Sequence, residues 1–223
     1  MALPLDTVFT PVLRPSPTLR KLLRGLAFGV LLLTALAAAW FFSRGHVVDL
    51  GQRNAWLQSG AYAQWQQGNV IVLMRHAERC DQSSNACLGP ADGITVAGTQ
   101  VAQGVGDGLA QLGLSDALLL ASPLTRTRQT ANFVFGKEVA SAAWAGSCDA
   151  DFAGSLLANK LRHRNLVLVT HSGCIDHLLR KLNVQPGERE TDYAEAVMVS
   201  VNDQGQPHLL GSLKADQWHK IQE

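Results

Sequence analysis

Arg75 and His76 follow a short apolar run, Val70 to Met74, that reads as a buried strand. A guanidinium and an imidazole at the carboxyl end of such a strand stand where open α/β sheets place their ligand crevice. Together they suit phosphoryl chemistry. Arginine grips phosphate oxygens in a two-pronged fashion, and histidine can attack phosphorus and hold the group covalently. An isolated Arg-His pair is more often a surface cation beside a packed histidine, so the reading needs partners. Two further apolar runs supply them. Asp116–Ala121 ends at Ser122, with Arg126 just beyond, and Leu166–Thr170 ends at His171.

The elements that must position these groups follow from the pattern. The loop 78–93 is rich in Ser, Asn, Gly, Pro and Asp, which form turns. A helix is expected from about Ile94 to Leu112, with Thr95 as its N-cap. Its four glycines imply close packing against the sheet. Pro123 suits the first turn of a helix to about Phe135. A third, edge strand is expected near Val139–Ala143, then a polar loop 146–154, a helix Ser155–His163 and a short helix ending near Leu182. Ala196–Val201 and His208–Leu213 read as a closing hairpin around Asn202–Gly205. Strands alternating with helices predict a three-layer α/β/α fold with a mostly parallel central sheet. If the three strands are neighbours, their polar ends converge.

Composition sets limits. The chain has 223 residues and a net charge of +1, so it is no strongly basic nucleic-acid binder. Residues 1–24 read as a flexible basic leader. Gly25 to Phe42 carries no charge over 18 residues, enough for a membrane span. Arg20, Lys21 and Arg24 before it predict a cytoplasmic N-terminus. The expected organisation is leader 1–24, signal anchor 25–42, a linker with one or two helical turns over 43–68, and a catalytic domain 69–223. A cleaved signal peptide is the alternative for the apolar run, with Ala37–Ala39 as small residues for cleavage. Either reading exports the domain. Four cysteines agree with an oxidising compartment. They allow three pairings. Cys80 with Cys87 and Cys148 with Cys174 is the expected set.

Three motifs together give a specific resemblance. Arg75-His76, Ser122-Pro-Leu-Thr-Arg-Thr-Arg-Gln-Thr-Ala131 and Val169-Thr-His-Ser172 resemble the histidine phosphatase superfamily in content and order. One departure is Ala77, where the superfamily motif has glycine; a small side chain is expected to be tolerated there while narrowing the pocket. Within the superfamily, Arg75–Asp81, Cys87 and Gly93–Gln100 after a membrane segment resemble the lipopolysaccharide core heptose(II)-phosphate phosphatases, and Cys148 and Cys174 fall where that group also has cysteines.

The resemblance implies that His76 is the nucleophile and that Arg75, Arg126 and a protonated His171 surround the phosphoryl oxygens. It also implies a general acid, with Asp151 first and Asp149, Glu78 and Asp81 as rivals. Glu78 and Ser172 are expected in supporting positions, and Gln129 and Thr130 either in helix packing or in support of the site. The scheme calls for no metal and no cofactor. The expected partners are the inner membrane and a phosphorylated glycan or small phosphomonoester. The expected enzyme is thus a periplasmic, inner-membrane-anchored phosphatase acting on heptose phosphate through phospho-His76. Its rivals are a phosphatase for another periplasmic phosphate or for phosphohistidine, and a silent phosphate-binding module. A mutase fits less well with export.

Overall fold

In the computed structural model, residues 16–52 and 54–222 are described. The chain divides into two units at Arg44/Gly45. Among its described residues the first contains the helix α1 (Pro17–Phe42). Ser16 caps it, its hydroxyl accepting the Leu19 N–H at 3.3 Å. Pro17 costs no hydrogen bond at the first helical position. Pro17–Phe41 is long and apolar enough to cross a membrane, with a mean hydropathy of 2.0. Near its far end the Arg44 guanidinium lies 3.9 Å from the centre of the Trp40 ring. The helix begins eight residues before the expected span and takes in Arg20, Lys21 and Arg24, because no residue there breaks it. Residues 1–15 of the expected leader lie outside the described residues.

The second unit opens with two short helices, α2 (Ala55–Gln58) and α3 (Ala61–Gln66), anchored by buried Trp56 and Trp65. Then come β1 (Val70–Arg75), α4 (Val96–Leu112), β2 (Leu118–Ala121), α5 (Thr125–Phe135) and β3 (Ala140–Ser141). They are followed by α6 (Phe152–Ala158), β4 (Leu166–Thr170), α7 (Ser172–Lys181), β5 (Ala196–Val201) and β6 (Pro207–Leu213). The strands form one sheet in the order β3-β2-β4-β1-β5-β6. The first four are mutually parallel, and β5 and β6 close the sheet as an antiparallel hairpin.

The central strands are buried on both faces, as a parallel sheet covered by helices requires. Val70, Val72 and Met74 of β1 and Val167 and Val169 of β4 face a core shared with α4 and α5. Ile71 and Leu73, with Leu166 and Leu168, face a second core shared with α6 and α7. The result is the expected three-layer arrangement. Register then sets the site: Arg75 pairs with Thr170 and Ala121 with Val169. His76, His171 and Ser122 are therefore the next residues on three adjacent parallel strands.

Three local expectations differ. Pro123 precedes α5 instead of opening it, and Leu124 occupies the N-cap. Helix α6 starts earlier than expected because Asp149 Oδ1 accepts the Asp151 N–H at 3.0 Å, turning the chain into the helix. It ends well before His163, whose φ of 54° is left-handed and cannot continue a helix.

The glycines of α4 do serve close packing. A Cβ on Gly106 would sit 2.2 Å from the Val134 carbonyl oxygen on α5, whereas one on Gly104 would meet nothing within 4 Å. Gly106→Ala is therefore expected to destabilise the oxidised protein by about 1–3 kcal/mol. Gly104→Ala should stabilise it by up to about 1 kcal/mol. Thermal midpoints of the two variants, moving in opposite directions, check this.

Candidate active site

The site is built where β1, β4 and β2 end. The His76 N–H donates to the Thr170 carbonyl at 3.0 Å, continuing the β1–β4 ladder past the last strand residue. The side chain is 4% exposed. Its Nδ1 lies 2.8 Å from the Ala77 carbonyl oxygen. A carbonyl only accepts, so Nδ1 carries the proton and Nε2 keeps its lone pair. Burial pushes the imidazole down from 6.5 to about 3, and His171, Arg126 and Arg75 add to the effect against the opposing Ala77 hydrogen bond. At neutral pH His76 is therefore an uncharged imidazole with its nucleophilic nitrogen set at Nε2.

Ala77 is held in turn. Its N–H donates to Thr130 Oγ1 at 2.9 Å, and the Thr130 hydroxyl donates to the Arg126 carbonyl at 2.7 Å. Thr130 thus takes the supporting position of its two expected roles, joining the backbone beside His76 to the helix that carries Arg126. Ala77 does not narrow the pocket as expected. It is fully buried in the core. Gly98 of α4 leaves it room: a Cβ there would lie 3.3 Å from the Ala77 methyl. Gln129 braces the neighbouring loop, accepting the Ile94 N–H at 2.8 Å.

Three cationic or imidazole groups join His76. The rings of His76 and His171 meet edge to face, 5.5 Å between centres. Arg126 lies near the start of α5, its Nη2 3.4 Å from His171 Nδ1. A guanidinium only donates, so His171 Nδ1 accepts and Nε2–H points at Ser122 Oγ, 2.8 Å away. Burial, then Arg126 and Arg79, push His171 down from 6.5 to about 4. With its protein neighbours alone His171 is thus neutral at neutral pH, whereas the expected protonated form concerns a phosphoryl group beside it. Arg75 donates from Nη1 to the Thr191 carbonyl at 2.5 Å. Its guanidinium stacks 4.0 Å from the Tyr193 ring centre. The Nε atoms of Arg75 and Arg126 are both buried without a hydrogen-bond partner.

Tyr193 was not foreseen. Its ring centre is 5.7 Å from that of His76, and its hydroxyl hydrogen-bonds Gln82 Oε1 at 3.1 Å. No neighbouring residue type marks it in the sequence. It is displayed by a tight turn in which Glu195 accepts the Asp192 N–H at 2.7 Å and Ala194 is left-handed, with φ 57°.

The carboxylates separate by environment. Glu78 accepts hydrogen bonds from Asn85 at 2.8 Å, Thr95 at 2.7 Å and Ser83 at 3.0 Å. These bonds, Asn85's foremost, hold it below its usual range. It therefore braces the loop and makes no contact that would orient Arg75. Asp81 is likewise lowered by its hydrogen bonds to the Arg79 guanidinium. The oxygens of both are thus engaged by partners in or beside their own loop. Asp149 and Asp151 remain as candidates. Asp149 is engaged in the turn that starts α6. Asp151 occupies the N-cap with no capping bond from its side chain. Both lie just after Cys148, which is disulfide-bonded to Cys174, three residues beyond His171. The other disulfide joins Cys80 and Cys87 in the loop after His76. Both pairings are as expected. Ser172 opens α7 and borders a cleft next to Arg75.

This arrangement could accept a phosphoryl group on a neutral imidazole, with the Arg75 and Arg126 guanidinium groups close enough to act on that ring electrostatically. No family model matches the chain. It is 32% identical over 192 residues to proteins named lipopolysaccharide core heptose(II)-phosphate phosphatase from Escherichia coli (strain SE11) and Shigella sonnei (strain Ss046). Each match spans 81% of this chain and 90% of the relative. Among solved structures, the putative phosphohistidine phosphatase SixA from Agrobacterium tumefaciens superposes with a TM-score of 0.51 at 18% identity. That match covers 66% of this chain and 99% of that one. The protein histidine phosphatase SixA complexed with tungstate gives 0.51 at 16% identity, covering 66% and 97%. The two structures share its fold.

Between about pH 3 and 6.5 an unfolded chain holds protons on these histidines that the folded protein does not. Stability should therefore fall as pH drops through that window, by up to about 1.4 kcal/mol per pH unit for each group. His76→Asn keeps a donor for the Ala77 carbonyl but does not titrate. Urea denaturation at pH 5 and 6.5 should show a shallower pH dependence in this variant than in the natural protein.

Proposed function

This chain belongs to the histidine phosphatase superfamily, within the family of the lipopolysaccharide core heptose(II)-phosphate phosphatases, and from that premise we propose that it removes phosphate from the heptose region of lipopolysaccharide in the periplasm. It is a phosphomonoester hydrolase. The observation that carries the mechanism is the His76 Nδ1–H···O=C Ala77 bond, which leaves Nε2 as nucleophile.

In the proposed first step His76 Nε2 attacks phosphorus, and the bond from phosphorus to the sugar oxygen breaks. Asp151 gives its proton to the departing oxygen. Arg75 and Arg126 hold the equatorial oxygens, and their buried, unpartnered Nε donors support that role. Phosphoryl transfer asks mainly for positioning and charge stabilisation. An arriving phosphate dianion beside His171 would raise its proton affinity and draw it towards the charged form. In the second step Asp151 takes a proton from water, the water oxygen attacks phosphorus, and the N–P bond breaks to release phosphate and restore His76.

Three features support the location. Helix α1 would anchor the domain to the inner membrane beside an amphiphilic substrate. The basic residues at its start favour a cytoplasmic N-terminus. Two disulfides suit the periplasm.

The test uses the full-length protein in detergent with a defined lipopolysaccharide core heptose phosphate and p-nitrophenyl phosphate. His76→Ala should release no phosphate above background from either. Asp151→Asn should lose about 10²–10⁴-fold on the heptose phosphate and far less on the aryl ester, whose leaving group needs no proton. Heptose phosphate turnover by His76→Ala would contradict the mechanism. An equal loss on both substrates would remove Asp151 from the acid role.

A further inference from the structure

Arg75 is held by a segment with little regular structure of its own. Between the end of α7 at Lys181 and the start of β5 at Ala196, the chain forms a 3₁₀ turn, Pro186–Glu188, among otherwise irregular residues. Yet this segment delivers the Thr191 carbonyl, which accepts Arg75 Nη1 at 2.5 Å. A carbonyl fixes a guanidinium only if its own peptide is fixed. On the far side β1 does this. The Arg75 N–H donates to the Glu195 carbonyl at 2.9 Å, and the Ala194 N–H donates to the His76 carbonyl at 3.3 Å.

On the near side the segment rests on the first residues of the second unit. The Gly45 N–H donates to the Asn183 carbonyl at 3.1 Å, and the Gly45 carbonyl accepts the Gln185 N–H at 3.4 Å. The Val47 N–H donates to Glu188 Oε2, and His46 Nδ1 meets Oε1 of the same carboxylate, both at 2.8 Å. This strap is itself secured. Val47 packs against the core that β1 and β4 share with α6 and α7. The Ser212 N–H of β6 donates to the Val48 carbonyl at 2.8 Å, and the Leu50 N–H donates to the Ser212 carbonyl at 2.9 Å.

Strap and segment meet at Glu188, and both of its carboxylate oxygens are used. The Val47 N–H, and after it His46, hold the carboxyl below its usual range. An exposed imidazole–carboxylate pair alone contributes little. A carboxylate that accepts a backbone N–H makes a stronger, charge-assisted bond. Thr191 follows three residues later, so at most about 10 Å of chain separates the two. Between them Arg189 Nε lies 3.5 Å from Asp176 Oδ1. That is longer than a hydrogen bond, so Glu188 is the tighter hold. We propose that Glu188 is a positioning residue for Arg75: bound to His46 and Val47, it fixes the Thr191 carbonyl and, through it, the guanidinium. This rests on the reading of Arg75 as a phosphate ligand and adds what keeps it in place.

The test compares the full-length natural protein in detergent with Glu188→Ala, Arg75→Gln and the double variant. The readouts are kcat/KM on p-nitrophenyl phosphate and the dissociation constant of inorganic phosphate, each taken well below the thermal midpoint. Small misplacements of a binding group are costly, so Glu188→Ala alone should worsen both at least about tenfold. Where Arg75 is already Gln, the same change should matter by less than about twofold, because residues that act through one group are not additive. Glu188→Gln keeps a carbonyl oxygen for the Val47 N–H and should recover most of the loss. An equal loss with and without Arg75 would overturn the assignment, since a merely structural role is blind to Arg75. So would a loss below about twofold in the natural background. If Glu188→Ala does not fold, His46→Ala takes its place in the cycle, with a smaller loss that must again vanish without Arg75. If the natural protein binds phosphate but hydrolyses no ester, the phosphatase reading falls, and Glu188 is judged on the phosphate constants. If phosphate does not bind, both fall.

Discussion

One hydrogen bond inside the dipeptide His76-Ala77 governs this site. Imidazole has two nitrogens, and only the one without a proton can attack phosphorus. The Ala77 carbonyl, 2.8 Å from Nδ1, assigns the proton and leaves Nε2 open. For that bond to persist, the Ala77 peptide must not rotate. It is held through its N–H by Thr130, whose own hydroxyl is tied to the Arg126 carbonyl. His76 and Arg126 therefore hang from the same turn of α5. Movement of either would disturb both.

Burial does the second part of the work. Taking His76 and His171 out of water, next to Arg75 and Arg126, lowers both imidazoles so that neither carries charge at neutral pH. The positive potential then comes from the guanidinium groups, which cannot lose their protons. Each is constrained by something other than substrate. Arg75 is pinned to the Thr191 carbonyl and stacked on Tyr193, and Arg126 is packed beside His171. Sites of this kind are arranged before the reaction starts, so little reorganisation is needed when charge develops. The two disulfides flank the same region, one in the loop after His76 and the other just beyond His171.

Much of this could be read from residue types and spacing. The apolar runs before His76, Ser122 and His171 gave three strands, and parallel pairing in register brought their ends together. Thr95 as N-cap was legible because a hydroxyl precedes the periodic residues, and its Oγ1 does accept the Gly98 N–H at 2.9 Å. The extent of α6 was not legible, because an Asp149 side-chain turn sets its start. Tyr193 was invisible because a distant turn delivers it. The lowered proton affinity of His171 was not legible because burial, unlike type, does not show in sequence. The room for the Ala77 methyl in the core was not legible either, because Gly98 on a different element provides it. Discrimination among the carboxylates likewise required their hydrogen-bond partners.

The tautomer of His76 is the claim on which the chemistry turns, and nitrogen NMR of the imidazoles reads it directly. In the ¹⁵N-histidine-labelled protein at pH 6 to 7, with His76→Asn providing the assignment, the account predicts a neutral His76 ring protonated at Nδ1 and bare at Nε2. A ring protonated at Nε2, or an imidazolium across that range, would contradict it.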